Sequence, residues 1–241
     1  MGRRSRTTRR AAFAAALVGA GVLVSSAASA FTPPKGDRAA IAFYTRRAEA
    51  YARVPGVRIV ETGFLFLRRS TGTSVSYSWG RSPSPGYRAA KVTVDAQLAD
   101  GQVVAYLARF EAPKIRHLRV LMAGSDVYTS TTRCWRKSPP SGSPWGTGDR
   151  YVFNDGGALF SPLSRSGAST SVTFTYSWTK GSTATETDTF AAGKPGPVQV
   201  SIIVRGSESL SIHKSITPLR TAPALPVPPA PLIPRPKPLC K

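Results

Sequence analysis

The sequence predicts an α+β domain in which one N-terminal helix packs against a strongly curved antiparallel sheet of about ten strands. Helical spacing of apolar residues occurs in one segment after Asp37, and strand-like patterns run from Val57 to Ile216. Several strands carry apolar residues on both faces, so both faces must be shielded from water. One helix is too small to shield a sheet of ten strands. The sheet therefore either folds over as a β-sandwich or curls around an apolar cavity.

The first thirty residues have the pattern of a secretory signal peptide. Five arginines and no acid stand in the first ten residues, an uncharged run from Ala11 to Val24 follows, and Ala28-Ser29-Ala30 offers a cleavage site. The run is short for a bilayer-spanning helix, which needs about twenty residues, and an uncleaved anchor is the alternative. We predict residues 1–30 to be a leader and the product to be exported: periplasmic, cell-wall associated or extracellular.

The predicted helix begins after Asp37, whose side chain can cap it. Ile41, Tyr44, Ala48 and Tyr51 recur at helical spacing, and Pro55-Gly56 ends the segment. No cysteine follows the leader's apolar run, so the sequence has no lipobox for acylation of the mature N-terminus.

The strands follow at short intervals. Asp100-Gly101 between two apolar runs is a strong hairpin signal, and Ala123 to Asp126 marks a second turn. The segment from Ser171 to Thr179 alternates strictly between Ser or Thr and large apolar residues. The predicted strands are Val57–Leu67, Ser74–Trp79, Val92–Leu98, Val103–Phe110, Ile115–Met122, Val127–Trp135, Tyr151–Phe153, Ser171–Thr179, Thr183–Phe190, Val198–Val204 and Leu210–Ile216. We predict one β-rich domain over residues 31–217.

The charge is strongly positive. The chain has 33 Lys and Arg against 12 Asp and Glu, a net charge of +21, and without the five leader arginines the excess is +16. Such a charge favours polyanions such as an anionic membrane or cell-wall surface. The basic residues are scattered, however, which is more typical of a solvated surface. No nucleic-acid-binding module is recognisable, so nucleic acid is not an expected partner.

Cys134 and Cys240 are the two cysteines. An exported protein can join them in a disulfide, which would close a loop of about a hundred residues. The alternative is a free Cys134 beside Trp135 with Cys240 open to intermolecular pairing.

The segment from Pro218 to Pro238 holds nine prolines and no acid. We predict residues 218–241 to be a proline-rich extended tail, either a passive spacer or an arm that docks a partner.

The sequence lacks the common catalytic and cofactor motifs. It has no G-x-S-x-G, no H-E-x-x-H, no phosphate loop and no C-x-x-C. The pair Glu186 and Asp188 shares one strand face, but its Thr-rich setting beside a turn predicts solvated surface. His117 and His213 are too few for a metal site. We expect no enzymatic activity, no cofactor and no metal.

The order of elements resembles the superfamily of the bacterial lipoprotein carrier LolA and the mycobacterial LppX-type lipoproteins. That order is a helix over Ala39–Val54, a G-F-L-F-L strand, and the Asp100-Gly101 hairpin. The passage "strand, G-x-x-x-Y, strand, W" of the family is similar to Gly124, Tyr128 and Trp135 here. The resemblance spans about residues 37 to 216. The missing lipobox and the proline-rich tail depart from the family pattern.

The resemblance implies an unclosed half-barrel with an apolar cavity and a carrier or scavenger that binds the acyl chain of a lipid or lipoprotein. It implies that Phe64, Phe66, Val75, Tyr77, Trp79, Phe174, Tyr176 and Trp178 line the core or the cavity. The alternative is a basic β-rich structural or cell-wall-binding module without a cavity.

Overall fold

The computed structural model describes residues 33–69, 75–80, 88–112, 115–124, 126–130, 134–138, 157–179, 181–207, 209–227 and 239–240. The predicted leader and the predicted strand Tyr151–Phe153 lie outside these residues. No helix in the described ranges is long and apolar enough to cross a membrane.

One helix and fifteen strand segments make up the described chain. The helix α1 is Arg38–Tyr51. The strands are β1 (Lys35–Gly36), β2 (Gly56–Arg69), β3 (Val75–Gly80), β4 (Arg88–Ala99), β5 (Gln102–Ala112), β6 (Ile115–Ala123), β7 (Asp126–Ser130), β8 (Cys134–Ser138), β9 (Leu159–Phe160), β10 (Ser164–Ser166), β11 (Ser169–Thr179), β12 (Ser182–Ala191), β13 (Gln199–Gly206), β14 (Leu210–Leu219) and β15 (Leu239–Cys240).

The strands form one open sheet. Its order is β1-β9-β11-β12-β13-β14-β2-β4-β5-β6-β7-β8-β15, with β10 beside β11 and β3 beside β2. All pairs are antiparallel except the parallel pair of β1 and β9. The predicted α+β class is confirmed. The number of strands differs from the predicted ten, because β1, β9, β10 and β15 have only two or three residues each and show no sequence period.

The helix begins where the sequence predicts. Asp37 has extended backbone angles and its carboxylate accepts a hydrogen bond from the Ala40 amide at 2.7 Å. Such an N-cap satisfies one of the amides that a helix start leaves without a partner. The helix ends at Tyr51, four residues before Pro55.

The turn between β4 and β5 confirms the predicted hairpin. Asp100 and Gly101 have φ angles of 52° and 75°. Two successive positive φ values are typical of the tight type I′ turn, which favours Asp-Gly for this reason. This turn lies against the end of the helix, since a Cβ on Gly101 would be 3.3 Å from the Ala52 Cα.

The sheet is curved around its buried face. Tyr44 of the helix, Val172 of β11 and Met122 of β6 belong to the same buried cluster. Nine neighbouring strands from β11 to β7 would span about 38 Å if flat, whereas a helix is about 10 Å wide. One shared core across that width requires curvature, so we call the side that faces α1 concave and the other side convex.

Candidate functional site

The concave face is an apolar wall that runs through all the long strands. Alternation along each strand places one set of residues inward, and these are buried. The inward residues are Val172 and Phe174 of β11, Ala184 and Phe190 of β12, Val200, Ile202 and Val204 of β13, Leu210, Ile212 and Ile216 of β14, Val57 and Ile59 of β2, Ala90, Val92, Val94 and Ala96 of β4, Tyr106, Ala108 and Phe110 of β5, Leu118, Val120 and Met122 of β6, and Val127 of β7.

The helix is anchored on this wall by Tyr44. Its ring meets Phe160, Phe174 and Phe190 edge-on, with centroids 5.3, 5.3 and 6.3 Å apart. Edge-to-face contacts of this kind stabilise aromatic pairs beyond the area that they bury. The anchor lies on β9, β11 and β12, at one end of the curved sheet.

The rim beside the helix carries a cation. The Arg47 guanidinium lies 5.1 Å from the Phe43 ring centroid and 5.9 Å from that of Phe190. Its Nη1 donates a hydrogen bond to the Lys194 carbonyl oxygen at 2.6 Å. Phe43 is partly exposed and packs against the core. An apolar side chain and a positive charge therefore lie side by side at this rim.

The inward side of β12 holds two acids. Glu186 is 6 % exposed and Asp188 is fully buried, so the predicted solvated surface is wrong. The threonines at 183, 185, 187 and 189 occupy the convex side, which turns both acids toward the core. The flanking inward residues Ala184 and Phe190 were the sequence signal for this face.

Burial raises the pKa of both carboxyls. For Glu186, loss of solvation outweighs the opposing effects of Lys214 and the Tyr176 hydroxyl. For Asp188, loss of solvation and the neighbouring Glu186 raise the pKa well above its ordinary value. The Lys214 ammonium also lies 3.6 Å from Glu61 Oε1. A row of polar groups therefore crosses the concave wall from β11 to β2.

The convex face carries a separate charge cluster. The Asp95 carboxylate accepts hydrogen bonds from Arg58 Nε and Arg109 Nη1, each at 2.6 Å. Burial acts to raise the pKa of Asp95, but the two guanidinium groups outweigh it and hold that pKa below its usual range. This triad joins β2, β4 and β5 across their outer side.

The eight predicted lining residues fall on both faces. Phe174 is buried in the concave core, and Tyr176 and Trp178 pack against that core while remaining partly exposed. Phe64 is partly exposed and lines a groove of about 580 Å³ with Thr62, Lys91, Glu111 and His213, which lie on the convex face.

The backbone register assigns faces to the other four, whose side chains lie outside the described part. Trp79, Tyr77 and Val75 pair with Leu65, Leu67 and Arg69 of β2. These positions share the concave side of β2 with Ile59, whereas Phe66 shares the convex side with Phe64. The register thus divides the predicted set between the two faces of the sheet.

The described residues hold no group of three or more His, Cys, Asp or Glu arranged to bind a metal ion. His213 is exposed, and its Nε2 lies 3.3 Å from the Ser211 hydroxyl.

No protein-family model and no curated protein matches the chain. Among solved structures it is similar to the lipoprotein LppX of Mycobacterium tuberculosis, with a TM-score of 0.45, 14 % identity, and coverage of 76 % of this chain and 95 % of that one. It is similar to a LolA superfamily protein of Nitrosomonas europaea, with a TM-score of 0.37, 7 % identity, and coverage of 76 % and 94 %. LprF of Mycobacterium bovis has a TM-score of 0.37, 12 % identity, and coverage of 80 % and 98 %.

Proposed function

We propose that this chain is an exported envelope protein that binds an acyl chain, of a lipid or a lipoprotein, between α1 and the concave face of its sheet. It acts as a carrier or scavenger and performs no chemistry on its ligand. The observation that carries the proposal is an apolar wall nine strands wide with a single described helix of 14 residues above it.

The shape of the wall suits a long, thin ligand. Ala90, Ala96 and Ala108 lie at its centre, on β4 and β5, where small side chains leave depth between larger neighbours. Met122 on β6 adds a side chain that adapts to irregular apolar surfaces. Val94, Phe110 and Val120 around these alanines are buried already. An acyl chain would therefore take the place of the groups that cover them, and it would gain about 0.8 kcal/mol for each of its own CH₂ groups that leaves water.

A movement of the helix would let the ligand enter. The described aromatic contacts of α1 are with β9, β11 and β12. The helix can therefore move away from β4, β5 and β6 while Tyr44 keeps its ring contacts. Tyr176, Trp178 and Phe43 are partly exposed at the edge of the core and offer an apolar first contact.

An anionic membrane or wall surface is the proposed docking partner. The mature chain has an excess of sixteen positive charges, and residues 62–94 contain Arg68, Arg69, Arg81, Arg88 and Lys91 but no acid. Basic residues near an anionic surface contribute about 1 kcal/mol each. Such attachment would be weakened by salt, since surface charges are screened.

Substitution of Ala108 tests the binding site. Ala108→Phe fills the centre of the concave wall, and Ala105→Phe places the same ring on the convex side of the same strand. A fluorescent C16 fatty acid should bind the original chain and the Ala105 variant alike, and bind the Ala108 variant at least tenfold more weakly. Unfolding curves of both variants are measured as the control, and they should show that each variant still folds.

Two outcomes contradict the proposal. One is that the original chain ignores the fluorescent fatty acid; the other is that Ala108→Phe binds it as tightly as Ala105→Phe. If fatty-acid binding fails while salt-sensitive pelleting with cell-wall material succeeds, the chain is instead a basic wall-binding module.

A further inference from the structure

The convex face has an apolar cluster of its own. Leu107, Leu121, Tyr128 and Trp135, from β5 to β8, are each less than 10 % exposed. The Arg119 guanidinium lies 4.9 Å from the Trp135 ring centroid. An outer sheet face normally carries polar residues, so this cluster needs a cover.

The end of the chain supplies that cover. Leu225 packs against the cluster. Two residues earlier, the Pro223 carbonyl oxygen accepts a hydrogen bond from Gln97 Nε2 at 2.9 Å. Pro223 also lies so close to β2 that a Cβ on Gly56 would be 2.5 Å from its Cδ. We call residues 222–227 and 239–240 the C-terminal strap.

The strap ends on the last strand of the main sheet. β15 pairs antiparallel with β8, so that Leu239 lies opposite Trp135 and Cys240 opposite Cys134. Directly opposed residues of an antiparallel pair have Cα atoms about 4.5 or 5.5 Å apart. A disulfide needs a Cα separation of about 4.4 to 6.8 Å, so the register suits a bridge.

The chain length is ample for this path. Four strand spacings from β4 to β8 amount to about 19 Å, and sixteen residues in a polyproline conformation reach about 50 Å. The number of residues between Pro223 and Leu239 therefore allows the contacts at both ends of the strap at the same time.

We propose that Cys134 and Cys240 form a disulfide that locks the C-terminal strap over the convex cluster. The two thiols lose two protons and two electrons as the S–S bond forms. A small-molecule or protein disulfide takes up the electrons and is reduced to two thiols. The disulfide then holds Cys240 against β8, while the contacts of Pro223 with β2 and β4 hold the other end of the strap.

The pairing is tested on the full chain equilibrated with oxidised glutathione and then denatured. A maleimide should add to neither cysteine before reduction and to both after it, and a tryptic map should show the two cysteine peptides linked within a monomer. Two adducts without reduction, or a link found only between two chains, would overturn the proposal.

Thermal unfolding tests whether the disulfide stabilises the protein. A closed loop of about a hundred residues should raise the midpoint of thermal unfolding by roughly 10 °C over the reduced chain. The variant Cys240→Ser should unfold like the reduced chain and ignore reductant. An equal midpoint for oxidised and reduced protein would show that the bridge does not stabilise the strap.

A second pair of variants separates the strap from the bridge. Leu225→Ser removes the apolar contact with the cluster, and Val227→Ser changes a residue that is 81 % exposed. In the reduced chain, Leu225→Ser should speed proteolytic cleavage of the tail severalfold, while Val227→Ser leaves its rate unchanged. Equal rates for the two variants would contradict a strap held by Leu225.

Discussion

The Tyr176 hydroxyl donates a hydrogen bond of 2.8 Å to Glu186 Oε2 inside the concave face. Asp188 lies two residues further along the same strand face and is fully buried. A hydroxyl and two carboxyls thus lie in a largely apolar wall, which Lys214 and Glu61 also enter. Buried polar groups are stabilising only while their partners stay in place, so this group links the position of β11 to that of β12.

The buried acids predict an unusual dependence of stability on pH. Their pKa values are raised in the folded chain, chiefly by loss of solvation, so the folded state keeps protons that the unfolded chain releases near pH 4. The free energy of unfolding should therefore fall as pH rises above about 4, up to the folded pKa values. Urea unfolding of the original chain at several pH values measures this slope.

The matching variant is the double change Glu186→Gln and Asp188→Asn, which should flatten that slope. Glu111→Gln is the control, because Glu111 is exposed and its ion pair with Lys91 is 3.7 Å long. A slope that persists in the double variant would mean that other groups are responsible.

Asp95 predicts the opposite behaviour on the convex face. Its pKa is lowered because its hydrogen bonds to Arg58 and Arg109 outweigh its burial, so its contribution is complete above about pH 4 and is lost as pH falls through the folded pKa. Asp95→Asn should lower the free energy of unfolding at pH 7 by about 1 kcal/mol, since both arginines are half exposed. The difference should shrink in acid; one that grows there would refute this role.

The ring contacts of Tyr44 should contribute strongly to the free energy of unfolding, because they hold the helix on the sheet. Tyr44→Ala removes a buried ring that contacts three phenylalanines and should reduce stability by about 3–5 kcal/mol. Tyr44→Phe keeps the ring and should lose about 1 kcal/mol. Thr45→Ala, at the exposed next position, should change it by no more than about 0.5 kcal/mol. Denaturant curves followed by circular dichroism compare the three, and similar losses for Ala and Phe would argue against ring packing as the anchor.

Local signals made part of this fold predictable. Asp37 predicted the start of the helix, and Asp100-Gly101 predicted a hairpin. The alternation from Val172 to Trp178 predicted which residues of β11 face inward. Each depends on residues close in sequence. The pairing of β14 with β2, which joins Ile216 to Ile59, depends on residues more than 150 positions apart and had no sequence signal.

Two features escaped prediction for different physical reasons. Glu186 and Asp188 are charged in water, so composition favoured an exposed face, although their apolar neighbours Ala184 and Phe190 pointed inward. The position of the C-terminal strap had no signal, because proline-rich segments lack the periodicity that reveals which side packs. Cys240 in the strap and Cys134 in β8 made a bridge between the tail and the body of the domain one of two alternatives, but they did not indicate the face that the tail crosses.

The most direct test of acyl-chain binding is native mass spectrometry of the full chain after secretion and purification without detergent, with the released ligand analysed by lipid extraction. The proposal predicts a fraction of protein with added mass, and an extract that contains acyl chains in matching amount. Protein that is consistently empty, and stays empty after incubation with fatty acids or phospholipid vesicles, would contradict it.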